Sequence, residues 1–179
     1  MSKIGLVTYT NSNLKDVWPV YFGQIDKHLK NIQSYVFADS KPDISENHKF
    51  FMYDNDDPYY RQYTGCLEKV SEEFIIYSQD DFVMYGDVSQ SSLDAYCNFL
   101  SETEYSFVRL IRCGYKTPLL NKAGENLFEV DVNSQDAFSM QATLWKKSAL
   151  EKLYKKVKSE KWYESNDWNS ACVELDVRG

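Results

Sequence analysis

Asp80 and Asp81 stand side by side directly after the apolar run Phe74-Ile75-Ile76-Tyr77. Two adjacent carboxylates inside a strand would drive one of them into the core, where an unpaired charge is costly. At a strand end, where the backbone turns into a cleft, the same oxygens can hold Mg²⁺ or Mn²⁺, and the metal can bridge the phosphates of a nucleotide. A solvated strand-to-loop corner would carry the same pair, so its meaning depends on its neighbours. Thr8-Tyr9-Thr10-Asn11 offers hydroxyls and an amide suited to the edge of a base. Asp39 is placed to accept hydrogen bonds from a base or ribose, and Arg61, flanked by Tyr60 and Tyr63, could reach a diphosphate.

These residues converge only if the elements between them put them at one edge. Residues 3–10 read as a buried parallel strand, with further strands over 33–38, 48–53 and 73–78. Between them the spacing predicts a helix over 17–29, with Val17, Val20, Tyr21, Ile25 and Leu29 on its apolar face and Pro19 in its first turn. Asp56-Asp57-Pro58 predicts a second helix start, with acidic caps and Pro at the first helical position, and the helix runs to about residue 72. A helix over 89–100, strands over 105–112, 127–132 and 138–145, and a helix over 147–157 follow. A polar, helix-starting stretch begins at Ser165. Strand and helix alternate with short connections through the first hundred residues. This pattern predicts an α/β fold with a mostly parallel central sheet, helices on both faces and ligands at the carboxyl ends of the strands. With no repeat or linker, residues 1–179 are expected to form a single domain.

Composition narrows the function. Of 179 residues, 43% are hydrophobic and 26% charged, as in an ordinary folded domain. A net charge of −7 argues against a protein that grips nucleic acid. The basic stretch 146–158 alternates with apolar residues as a solvated helix face does. An acidic chain can still take a nucleotide diphosphate when a divalent metal supplies positive charge. The four cysteines show neither zinc nor disulfide spacing. Neither a signal-peptide pattern nor a membrane-length apolar run is present, and the expected location is the cytoplasm.

The ordered set of a strand over 3–10, a strand ending at Asp39, a helix carrying Arg61 and the run Tyr77-Ser78-Gln79-Asp80-Asp81-Phe82 resembles the GT-A glycosyltransferases. The resemblance covers essentially the whole chain. It implies a GT-A (Rossmann-like) domain that transfers a sugar from a nucleotide-diphospho-sugar, a UDP-sugar for preference, to a glycan or other hydroxyl acceptor. By the same resemblance Asp81 is the metal ligand for Mn²⁺ or Mg²⁺, and Asp80 contacts ribose or metal. Thr8, Tyr9, Thr10, Asn11, Asp39, Tyr60 and Arg61 would hold the nucleotide. The segment Phe138-Ser139-Met140-Gln141-Ala142-Thr143-Leu144-Trp145 looks like the lining of the donor-sugar and acceptor pocket, which brings in Gln141 and Trp145. Trp162-Tyr163-Glu164 looks like the element bearing the catalytic carboxylate of inverting members. Glu164 would then be the general base, with Asp167 as the alternative.

The chain departs from that pattern in two ways. The region after Glu164 is short for such an enzyme, so a truncated acceptor region is expected. No histidine follows His48, so the late metal-binding histidine of some members is missing. A non-catalytic or truncated nucleotide-sugar-binding relative is the second reading. A nucleotidyltransferase is the third, since Thr8-Tyr9-Thr10-Asn11-Ser12 lacks the Gly-rich phosphate loop such enzymes carry.

Overall fold

Alternating apolar strands and amphipathic helices build one twisted sheet with a helical layer on each face. A computed structural model describes residues 3–111, 119–131, 133, 138–139, 141–160 and 165–179. The main sheet contains β1 (Ile4–Tyr9), β2 (Gln33–Ala38), β3 (His48–Met52), β4 (Phe74–Gln79), β5 (Phe107–Arg109) and β8 (Thr143–Lys146) in the order β3-β2-β1-β4-β8-β5. The first four strands pair in parallel, while β8 runs antiparallel to both β4 and β5. The helices are α1 (Trp18–His28), α2 (Tyr59–Leu67), α3 (Gln90–Glu102), α4 (Lys147–Val157) and α5 (Ser165–Glu174). A separate ribbon pairs β6 (Leu119–Lys122) with β7 (Phe128–Val130).

Strand parity sorts the core into two halves, because successive side chains on a strand point to opposite faces. Ile4, Leu6, Val36, Phe74, Ile76 and Leu144 face α1 and α3. Val7, Tyr35, Phe37, Ile75, Tyr77 and Trp145 face α2, α4 and α5. The second half is unusually aromatic. Tyr63 and Tyr154 stack at 4.3 Å, and Tyr154 meets Trp168 edge-on at 4.6 Å.

The structure corrects several expected bounds. In α1 the buried face is Trp18, Tyr21, Phe22 and Ile25, while Val20 lies 58% exposed, so the apolar stripe is rotated from the one expected. Pro58 sits one position before α2 rather than inside it, and neither Asp56 nor Asp57 caps the helix. Instead the amides of Tyr59 and Tyr60 donate to the carbonyls of Glu160 and Ser159. This helix ends at Leu67, five residues earlier than expected, and the amides that follow it bond three residues back, Lys69 to Cys66 and Val70 to Leu67. The expected strand over 138–145 begins only at Thr143. Before it, Ser139 Oγ accepts the Gln141 amide and Thr143 Oγ donates to the Gln141 carbonyl, local bonds that compete with a sheet ladder. The strands expected over 105–112 and 127–132 shorten to β5 and β7, and β6 was not expected. Cys66, Cys97 and Cys172 are buried free thiols. Among the described residues no helix is long and apolar enough to cross a membrane.

Candidate functional site

In the order β3-β2-β1-β4, the chain leaves β1 toward β2 over one face, and β4 arrives on the other side of β1. The carboxyl ends of β1 and β4 therefore flank the topological switch point, where α/β sheets open a crevice for ligands. Tyr9 and Gln79 are register partners there, followed by Thr10-Asn11 on one strand end and Asp80-Asp81 on the other. Asp39 follows β2 immediately. Two strand spacings, about 10 Å, separate the ends of β2 and β4, from which the Asp39 and Asp81 loops leave.

Parity divides the residues expected to bind a ligand. Thr8, Ser78, Thr10 and Asp80 carry the parity that points to α1. Thr8 is 0% exposed and its hydroxyl lies 2.9 Å from Tyr21 OH, which donates to Ser78 Oγ at 3.2 Å. Ser78 in turn donates to the Gln79 carbonyl. Since the Tyr21 proton is committed to Ser78, Thr8 must donate to Tyr21, giving one directed chain. Thr10 and Asp80 form a second. Trp18 Nε1 donates to Thr10 Oγ at 2.8 Å, and Thr10 Oγ donates to Asp80 Oδ2. Asp80 is only 4% exposed, and its burial pushes the carboxyl above its ordinary pKa despite the hydrogen bond from Thr10. The side chains of Thr8, Thr10 and Asp80 are therefore buried and bonded within the protein rather than presented to the crevice. They are struts that fasten both strand ends to α1.

The opposite side of the same edge is open. Tyr9 stacks on Tyr53 with ring centroids 5.0 Å apart and 9° between planes, and its hydroxyl donates to Gln62 Oε1. Tyr53 OH donates to the Thr10 carbonyl at 2.7 Å. Asp39 gathers the Ser12 amide at 2.7 Å, the Ser12 hydroxyl at 2.7 Å and Asn55 Nδ2 at 2.9 Å. Partial desolvation works against its charged form, yet these donors together hold the carboxyl below its ordinary pKa. Asn11 closes the frame with long contacts to Tyr53 OH and Asn55 Oδ1, both at 3.4 Å. Asn11, Ser12 and Asp39 are half-buried and Asn55 is exposed, so a rigid frame of polar groups faces solvent.

Asp81 is exposed on a turn closed by the Phe82 amide to the Gln79 carbonyl. No group of three or more His, Cys, Asp or Glu side chains converges among the described residues. With Asp80 turned inward, Asp81 is the exposed carboxylate that the β4 end offers a cation among the described residues. That suits Mg²⁺ or Mn²⁺ only where substrate phosphates complete the shell, which is how these hard cations are commonly held.

The remaining expected residues are scattered. Arg61 is exposed, and its Nε donates to Tyr60 OH at 3.0 Å on the first turn of α2. Trp145 is 1% exposed and packs in the core against Phe107 and Phe138. Gln141 precedes β8. Because Tyr77 pairs with Thr143 in antiparallel register, Gln141 falls level with Gln79 at the carboxyl edge. Glu164 lies outside the described residues, as does the side chain of Asp167. Ser12, Tyr53, Asn55 and Gln62 belong to the frame and were missed. Tyr53 and Asn55 follow the end of β3 and could have been found as Asp39 was, by asking what each parallel strand delivers at its carboxyl end.

No family model matches the chain, and no curated protein matches it in sequence. Solved structures share the fold. TarS of S. aureus superposes with a TM-score of 0.58 at 12% identity over 95% of this chain and 34% of its own. A structure of TarS residues 1–349 in complex with UDP gives 0.55 at 14% identity, covering 84% of this chain and 48% of that one. The bifunctional IspDF of Campylobacter jejuni gives 0.55 at 14% identity over 95% of this chain and 47% of that one. The chain spans between a third and a half of the length of these structures.

Proposed function

We propose that the chain is a GT-A type glycosyltransferase domain that binds a nucleotide-diphospho-sugar along this edge and transfers the sugar to an acceptor hydroxyl. The observation that carries the reading is the preformed frame of Asp39, Ser12, Asn55 and Asn11, set across the switch point from the strand end that carries the exposed Asp81. A protein of the same fold crystallises with UDP, which supports a nucleoside diphosphate as the ligand. Asp39 and Asn55 would take the base or ribose, and Asp81 would hold Mn²⁺ or Mg²⁺ against the diphosphate. The metal, when bound, neutralises charge on the leaving diphosphate.

In the transfer, the acceptor oxygen forms a bond to the anomeric carbon while the bond from that carbon to the phosphate oxygen breaks. The electron pair leaves with the nucleoside diphosphate, and the hydroxyl proton passes to a carboxylate base. Glu164 is the proposed base and Asp167 the alternative, which favours inversion. If so, Glu164→Gln retains donor binding and slows transfer by roughly 10²–10⁴-fold. The single-domain organisation of residues 1–179 and a cytoplasmic location belong to the same proposal.

Calorimetric titration with UDP, with and without Mn²⁺, tests the site. Asp39→Ala should weaken UDP by about tenfold, the worth of one charge-assisted hydrogen bond. Asp81→Asn should abolish the Mn²⁺-dependent part alone. Unchanged metal-dependent affinity in Asp81→Asn would reduce that residue to a surface corner. Retained UDP binding without any effect of Asp39→Ala would move the nucleotide elsewhere.

A further inference from the structure

Beyond Asp81 the chain does not return to the core at once. Residues 82–88 form one wall of a cleft of about 470 Å³ that lies between α3 and the strand ends of β4, β5 and β8. Its lining is dominated by Phe82, Met84, Leu93, Tyr96, Leu110 and Ala142. The volume falls in the range of about 300–1,000 Å³ that holds one small molecule. Both ends of the wall are fastened. The turn from Gln79 to Phe82 fixes the first, and the Val88 amide donates to the His28 carbonyl at 3.2 Å at the other. Asp87 adds a 2.8 Å contact to His28 Nδ1, and Ser89 caps α3. Between these anchors Val83 is 40% exposed and Tyr85 is 97% exposed, and across the cleft Ile111 is 39% exposed. Large apolar side chains held at a cleft mouth by a braced backbone mark a binding surface rather than slack in the core.

The lining also defines the charge of what fits. Among the described residues no Lys, Arg or His lines the cleft and the charged one is Asp87, so no described side chain there neutralises a phosphate or carboxylate. Apart from Asp87, the polar side chains among the described lining residues are hydroxyls, with Ser92 Oγ donating to Ser89 Oγ at 2.9 Å on one rim and Ser78 at the base. The cleft begins at Phe82, the residue after Asp81.

We propose that this cleft seats the acceptor, an uncharged small molecule with a flat apolar body of one or two rings and a free hydroxyl directed toward Asp81. The assignment as acceptor seat rests on the proposed sugar transfer. The chemical class follows from the cleft itself.

The probe is 4-methylumbelliferone, a hydroxylated two-ring compound, titrated by fluorescence anisotropy against the full chain. Methyl glucopyranoside serves as a hydroxyl-bearing competitor without an apolar body. Val83→Asp should raise the probe's Kd at least tenfold, since it places a charge on an apolar wall. Tyr85→Ala should raise it about threefold. Both side chains are exposed, so neither change threatens the fold. UDP calorimetry on the same samples should be unchanged, and methyl glucopyranoside should not displace the probe. Equal probe affinity in wild type and Val83→Asp, or displacement by methyl glucopyranoside, overturns the proposal. Loss of UDP binding in wild type would instead defeat the donor reading, and that is seen in the calorimetry alone.

Discussion

The polar residues on the two sides of the β1 and β4 ends are chemically alike and do opposite work. On the α1 side, Thr8, Thr10, Ser78 and Asp80 are at most 4% exposed, and each hydroxyl is spent on a neighbour inside the protein. On the other side, Asn11, Ser12, Asp39, Asn55 and Asp81 remain in reach of solvent while their frame is held by its own hydrogen bonds. The difference is not one of residue type, since each side has hydroxyls and a carboxylate. Strand parity and distance past the strand end decide it. Asp80 is the first residue after β4 and still follows the strand's alternation into the core. Asp81 is one residue further, on the turn.

The largest effect should come from exchanging the two neighbouring carboxylates for alanine. Asp80→Ala leaves Thr10 Oγ without its buried acceptor and opens a void beside Trp18, and it should cost about 2–4 kcal/mol. Asp81→Ala removes an exposed side chain and should fall within about 0.5 kcal/mol of wild type. Urea denaturation measures both. Equal costs would erase the division between a buried strut and an exposed carboxylate.

A pH series sharpens the contrast further, because the two sides should have opposite signs. Asp80 has a raised pKa in the folded state, so there it binds its proton more tightly than the unfolded chain does. Its contribution is full below the unfolded value of about 4 and is lost as pH rises through the folded value. Asp39 has a lowered pKa, so its contribution is present above about 4 and is lost as pH falls through the folded value. Relative to Asp80→Asn, wild type should gain stability on acidification from pH 6 toward about 4. Relative to Asp39→Asn, it should lose stability on going from about pH 5 to 3. Parallel trends in the two series would mean that one of the carboxylates is assigned to the wrong environment.

The sheet was legible because its signals are local. Apolar runs at residues 4–9, 33–38 and 74–79 with short polar breaks fit only buried parallel strands, and the carboxyl edge followed from their alternation with helices. Asp39 and Asp81 were reachable by that logic. Thr8, Thr10 and Asp80 were assigned to the ligand on their place at the strand ends and on the resemblance, although parity with Leu6 and Ile76 turns their side chains toward α1. Trp145 shows the same rule: alternation with Leu144, which faces the other half of the core, sends its ring among Phe107 and Phe138. The end of α2 depended on longer-range contacts. Lys147 Nζ reaches the Val70 carbonyl at 2.6 Å from a residue 77 positions away, and no local spacing encodes such a contact.

The smallest and most discriminating prediction concerns Thr8, which resemblance places on the nucleotide and the structure places in the core. Thr8→Val keeps the shape and removes the hydroxyl. Tyr21 OH still donates to Ser78, so the only loss is the proton that Tyr21 oxygen accepts from Thr8. One neutral hydrogen bond of this kind is worth about 1 kcal/mol. The cost of Thr8→Val should therefore be about 1 kcal/mol in urea denaturation, with UDP affinity unchanged within about twofold. Tyr21→Phe breaks the same chain at its centre, leaving Thr8 Oγ without its acceptor and Ser78 Oγ without its donor, and should cost more. Because the two share one hydrogen bond, the double variant should be less destabilised than the sum of the singles, by about 0.5–1 kcal/mol. Additive costs would show that Thr8 and Tyr21 are not coupled as the 2.9 Å contact implies. A tenfold loss of UDP affinity in Thr8→Val, with stability intact, would return Thr8 to the ligand and break the rule that parity separates the two sides of this edge.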